Sequence, residues 1–239
     1  MLIENQYLYI PIPKNASSSI VYSILQWRLK VDFGDETLNK FMYNQIDSNE
    51  PFAHYHNTYD YYKNTFPNKK TIAIKRPSTD RFISALKYMI LMCKQNNIEL
   101  KHNFEKLNEE EIIEIFSKIF YELDCLTEPT INNNINLNEY SKNINNIIKR
   151  NITNDYLNFN KMHLNNFKSQ YFWGLNKCDI IINISELDKF TNIIKKIKPN
   201  FNLIKTNKSD NIILLNIKKS DKIIDFVNKH IDYKWLNEK

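Results

Sequence analysis

The stretch Tyr7-Leu8-Tyr9-Ile10-Pro11-Ile12-Pro13-Lys14-Asn15-Ala16-Ser17-Ser18-Ser19 decides how this chain is read. Its first six residues are a short apolar run of the kind that forms a buried strand. The run breaks at Pro13-Lys14-Asn15-Ala16, and Ile20, Val21, Ile24, Leu25 and Leu29 then recur at the one-face spacing of an amphipathic helix over about 16–30. The first backbone N–H groups of a helix lack intrahelical partners and carry partial positive charge, so they bind phosphate or sulfate. Lys14 adds a point charge there, and Ser17, Ser18 and Ser19 add donors. The whole chain has two glycines, Gly34 and Gly174. A glycine-rich dinucleotide loop or an ordinary Walker loop is thereby excluded. Any grip on an anion must be built from Pro13, Lys14, Asn15, Ala16, the serines and backbone.

Bulk properties narrow the class. A chain of 239 residues suits a single domain over 1–239, with room for an insert. A hydrophobic fraction of 42%, including 13% aromatic, supplies a core and argues against wholesale disorder. The net charge of +6 suits an anionic small substrate, a nucleic acid or a solvated lysine-rich surface, and does not choose among them. Cys93, Cys125 and Cys178 are odd in number and lack CxxC spacing, so no disulfide framework or zinc site follows. Nothing resembles a signal peptide or approaches the roughly 20 apolar residues of a membrane helix. The expectation is a soluble, cytoplasmic protein without membrane partners.

Further along, Tyr59 to Phe66 reads as a short helix and Thr71-Ile72-Ala73-Ile74 as a buried strand between Pro67-Asn68 and Arg76-Pro77. Ser78 or Thr79 is placed to cap a helix with Phe82, Ile83, Leu86, Met89 and Ile90 on its apolar face. Another helix is expected from about Glu109 to Leu123. An Asn/Ile-dominated stretch over 131–160 reads as part of a loop-rich insert at about 95–165. Asp179 to Ile184 is a third strand, followed by a helix over Glu186 to Lys198. Ser220 is expected to cap a last helix ending near Trp235. Strands alternating with helices predict an α/β fold, a three-layer parallel sheet flanked by helices.

A second informative segment is Lys75-Arg76-Pro77-Ser78-Thr79-Asp80-Arg81-Phe82-Ile83-Ser84, again at a strand-to-helix junction. Ligands of parallel sheets bind beyond the carboxyl ends of the strands. Two such junctions could hold two ends of one polyanion. With both segments in view, the chain resembles the carbohydrate sulfotransferases that use 3′-phosphoadenosine 5′-phosphosulfate (PAPS). That family pairs an early Pro-Lys-x-x-x-[Ser/Thr] loop for the 5′-phosphosulfate with a later Arg-Asp-Pro-x-x-Arg-x-x-Ser segment for the 3′-phosphate. Pro13, Lys14, Ser17, Ser18 and Ser19 fall on the first; Arg76, Arg81 and Ser84 fall on the second, with Pro77 and Ser78 in place of Asp and Pro.

Phe52-Ala53-His54-Tyr55-His56 resembles the His-x-His segment of uronyl 2-O-sulfotransferases, whose histidines serve acceptor deprotonation. Tyr171-Phe172-Trp173-Gly174 and the stretch Ile182 to Leu187, with Glu186 at an acidic position, look like later family elements. Thr206-Asn207-Lys208-Ser209 sits where the family closes a loop over the cofactor. His163 and Gln170 resemble an acceptor-side motif at altered spacing. Residues 95–165 match no known pattern.

The resemblance implies a P-loop-like sulfotransferase fold and transfer of a sulfuryl group from PAPS, leaving adenosine 3′,5′-bisphosphate (PAP), to a hydroxyl of a glycan or small-molecule acceptor. Pro13 to Ser19, Arg76, Ser84, Lys208 and Ser209 would bind PAPS. Lys14 would stabilise the leaving group and His54 or His56 would take the acceptor proton, without a metal. Two rivals differ in class. A nucleotide kinase with a degenerate phosphate loop would bind ATP–Mg²⁺, but Lys14 precedes the serines without the usual glycines. A basic nucleic-acid-binding protein would cluster its lysines on one face, whereas here they are spread along the chain. As an ordinary helix start, the same segment would make Ser17 a cap and Lys14 a solvated side chain.

Overall fold

A computed structural model describes residues 2–4, 6–29, 58–124, 146–147, 149–154, 167, 169–204 and 213–232. The chain divides into two compact units, one of residues 1–77 and 169–207, the other of residues 78–168 and 208–239.

The first unit holds an open four-stranded sheet in the order β1 (Leu2–Ile3), β2 (Tyr7–Ile10), β3 (Lys70–Lys75), β4 (Ile180–Asn183). β2, β3 and β4 are parallel, with Ile10 beside Ala73 and Ala73 beside Ile181. The sheet is mixed rather than wholly parallel, because β1 pairs antiparallel with β2. The reason is local: Gln6 N–H donates to Ile3 O across a three-residue reversal with Glu4 at φ 44°, and so short a link permits only antiparallel pairing. Two residues of β1 are too few to display an alternation.

Side-chain alternation assigns the faces of this sheet. Tyr9, Ile72, Ile74 and Ile182 pack with Ile20, Val21, Ile24 and Leu25 of α1 (Ser17–Leu29) and with Phe190 and Ile194 of α5 (Leu187–Lys195). Leu8, Ile10 and Ala73 face Tyr62 of α2 (Tyr59–Thr65), Trp173 and Leu175. Each fully buried isoleucine in these layers contributes about 1.5–3 kcal/mol through its removal from water. The strand expected over 179–184 is thus Ile180–Asn183. The helix expected from Glu186 starts as a 3-10 turn at Ile184–Glu186 and ends at Lys195.

The second unit is helical. α3 (Ser78–Gln95), α4 (Glu109–Asp124) and α6 (Asp221–Val227) enclose an aromatic core in which Phe82 meets Phe116 edge-on at 4.9 Å and Phe116 meets Phe167 at 5.2 Å. α4 starts with a reciprocal capping box. Glu111 N–H donates to Asn108 Oδ1 at 3.0 Å and Asn108 N–H to Glu111 Oε2 at 2.8 Å. Ser78 and Thr79, the residues expected at the cap, are the first two residues of α3. Ser220 stands at the N-cap of α6, but its hydroxyl makes no cap bond; its N–H goes to Glu109 Oε1 at 3.2 Å. A π turn, Asn228–Asp232, follows α6, and Trp235 lies outside the described residues.

Candidate anion site at the β2–α1 junction

The chain leaves β2 at Ile10, passes buried Pro11, Ile12 and Pro13, and enters α1 at Ser17. Lys14 has φ 65° and Ala16 φ 58°, so two residues with β-carbons, two positions apart, are left-handed. Such residues cost about 1–2 kcal/mol each, because Cβ crowds the following carbonyl. Residues held this way cluster at ligand clamps and active sites. Ala16 also occupies the N-cap, since its carbonyl accepts the N–H of Ile20 at 3.1 Å. Ser17, read as a candidate cap, is instead the first helical residue. Alanine brings no side-chain oxygen to the first-turn N–H groups, unlike the Ser, Thr, Asp or Asn preferred there.

Buried amides offset this strain. Asn15 is fully buried, and its Nδ2 donates to Ile74 O at 2.7 Å and to Gln170 Oε1 at 3.1 Å. Gln170, 2% exposed, also accepts the Arg76 N–H at 3.3 Å and donates Nε2 to Arg76 O at 3.0 Å. Arg76 Nη1 in turn donates to Lys14 O at 3.1 Å. Five hydrogen bonds at about 1 kcal/mol net each are enough to hold two left-handed residues. Asn15 Oδ1 is buried without a hydrogen-bond partner among the described residues.

The donor set is cationic or neutral throughout: a half-buried Lys14, a half-buried Arg76, the serine run and the start of α1. No carboxylate stands between Ile10 and Gln26. Such a set fits an oxyanion. It brings together Pro13, Lys14, Asn15, Ala16, Ser17, Ser18, Ser19 and Arg76, all in the first unit. Ser84 lies in the second unit, two turns into α3, and is 6% exposed. Arg81, three residues earlier and so on the same helix face, is 2% exposed and not a surface charge. His54, His56, His163, Lys208 and Ser209 lie outside the described residues. Glu186 bonds to its neighbours Lys189 and Asn183, and those contacts, Lys189 first, hold its carboxyl below the usual range.

Gln170 is the member whose role sequence reading missed. The resemblance places it beside His163 in an acceptor-side motif, and in the structure its amide joins the two strand-end loops. Nothing local signals a partnership with residues 94 and 155 positions away.

At the other end of the same strands, Asp179 Oδ2 accepts the N–H and the hydroxyl of Thr71, both at 2.7 Å. The backbone bond, then the hydroxyl bond, holds the Asp179 carboxyl below the usual range. This clamp pins the β3–β4 register away from the anion site. Cys93 and Cys178 are buried free thiols pushed up to about 12, chiefly by burial.

No protein-family model matches the chain, and neither does any curated protein or solved structure. Among the described residues, no group of three His, Cys, Asp or Glu could hold a metal ion, and no helix is long and apolar enough to cross a membrane.

Proposed function

We propose that this protein is a PAPS-dependent O-sulfotransferase with a P-loop-like fold, acting on a hydroxyl of a carbohydrate or related acceptor. The observation that carries the reading is the Lys14 loop: strained, lined by donors and tied to Arg76. PAPS supplies an activated sulfuryl group and leaves as PAP. The protein's part is positioning and charge stabilisation, as in phosphoryl transfer.

Lys14 would neutralise charge growing on the bridging oxygen of the leaving group. The backbone N–H groups and hydroxyls of Ser17, Ser18 and Ser19, with Pro13, Asn15 and Ala16 shaping the loop, would hold the 5′-phosphosulfate. Arg76 would take the 3′-phosphate. His54 or His56 would accept the proton of the acceptor hydroxyl, since imidazole titrates near neutrality.

Calorimetric titration with PAP and, separately, with ATP–Mg²⁺ tests the nucleotide assignment. PAP is expected to bind, and Arg76→Ala to weaken it by about tenfold or more through loss of a charged hydrogen bond. Preference for ATP–Mg²⁺, or an Arg76→Ala variant that binds PAP as wild type does, would overturn it.

A further inference from the structure

The loop that carries Lys14 is held in part from outside itself. Between two left-handed residues sits Asn15; its backbone N–H turns back to Ile12 O at 3.2 Å, while its side chain is held by groups that belong to β3 and to the segment at Gln170. The Gln170 amide meets Arg76 as a neighbouring peptide in a sheet would, accepting from its N–H and donating to its carbonyl. Gln170 thereby extends the hydrogen bonding of β3 past its last residue, Lys75. The same Oε1 then receives the Asn15 amide. A single buried side chain therefore connects the lysine loop to the arginine of the second segment, and Arg76 completes the circuit through the Lys14 carbonyl.

We propose that Gln170 is a positioning residue: it touches no ligand, but sets the Lys14 loop in its anion-binding shape and couples that shape to Arg76. The identity of the anion rests on the sulfotransferase reading; the positioning does not. Only a primary amide serves here. The acceptor end is used twice and the donor end once, so Glu keeps the outline and loses the donation to Arg76 O, while Leu loses all three bonds. A residue that merely filled space would be replaced by Leu with little effect on the loop. Asn15 obeys the same logic, since both of its described side-chain bonds need Nδ2 as donor.

The test uses the full-length protein and the variants Gln170→Leu and Gln170→Glu. It reads PAP affinity by calorimetry, backbone amide exchange of residues 14–19 without ligand, and the thermal midpoint. Gln170→Leu is expected to weaken PAP about 10–100-fold, as part of the net contribution of its three lost bonds reaches the site, and to speed exchange selectively in 14–19. Gln170→Glu is expected to show both effects in smaller measure. PAP affinity within twofold of wild type, with exchange unchanged, would overturn the proposal and leave the sulfotransferase reading intact. Exchange that rises everywhere, in step with a fall in midpoint, would also overturn it, because that is what a purely structural residue does. If wild type itself fails to bind PAP, the sulfotransferase reading fails, and selective exchange in 14–19 still decides the role of Gln170. Should Gln170→Leu fail to fold, the isosteric Gln170→Glu decides by the same readouts.

Discussion

The Lys14 loop and the Gly174 turn both bend the chain through left-handed backbone, and they do it with opposite chemistry. At Gly174, φ is 86°, and a β-carbon would lie 2.3 Å from Cβ of Tyr59, whose N–H donates to Trp173 O. Glycine is required there by contact as well as by conformation. At Lys14 and Ala16, two residues with β-carbons accept similar φ values and are held by Asn15, Gln170 and Arg76. A turn whose purpose is packing takes the residue without strain. A turn that spends hydrogen bonds to hold lysine in a strained pose has a use for the lysine.

This contrast can be broken by exchange of residue types. Gly174→Ala should be the most damaging to stability, by about 2–4 kcal/mol, combining an overpacked contact with a left-handed alanine. Chemical denaturation measures it, and a loss below about 0.5 kcal/mol, the level of an ordinary surface substitution, would remove the distinction.

Acid should act on the Gly174 region before the Lys14 loop. The folded state depresses the Asp179 carboxyl, so its contribution is fully present above the unfolded-state value and is lost as pH falls through the folded one. Thermal midpoints taken downward through the carboxylate range should therefore fall less steeply for Asp179→Asn than for wild type; parallel profiles would show that the clamp contributes nothing. The smallest effect is expected at Ala16→Gly. Relief of left-handed strain and added unfolded-state entropy oppose each other, for a net change within about 1 kcal/mol in denaturation experiments. A large loss would mean that the Ala16 methyl packs rather than strains.

Much of this first unit was legible in the sequence. β2, β3 and β4 are short apolar runs bounded by turn residues, and α1 repeats Ile20, Val21, Ile24 and Leu25 on one face. The antiparallel β1 was not legible, because two residues carry no period. At the site, Lys14, the serines and Arg76 could be found because each sits at a strand-to-helix change. Their mutual contact could not, since the bond from Arg76 to the Lys14 carbonyl joins residues 62 apart and depends on the parallel pairing of β2 with β3. Left-handed Lys14 and Ala16 were equally hidden, as neither residue type signals positive φ. The burial of Arg81 and Ser84 was not legible, because the sequence offered only a charge and a hydroxyl there.

The measurement that bears most directly on the role of the Lys14 loop is the release of PAP from PAPS in the presence of a panel of carbohydrate acceptors, compared between wild type and Lys14→Ala. Loss of one transition-state donor typically costs about 10²–10³ in rate. Lys14→Ala should lose turnover on that scale while keeping its thermal midpoint and most of its affinity for PAP. A Lys14→Ala protein that turns over PAPS at the wild-type rate would contradict the account.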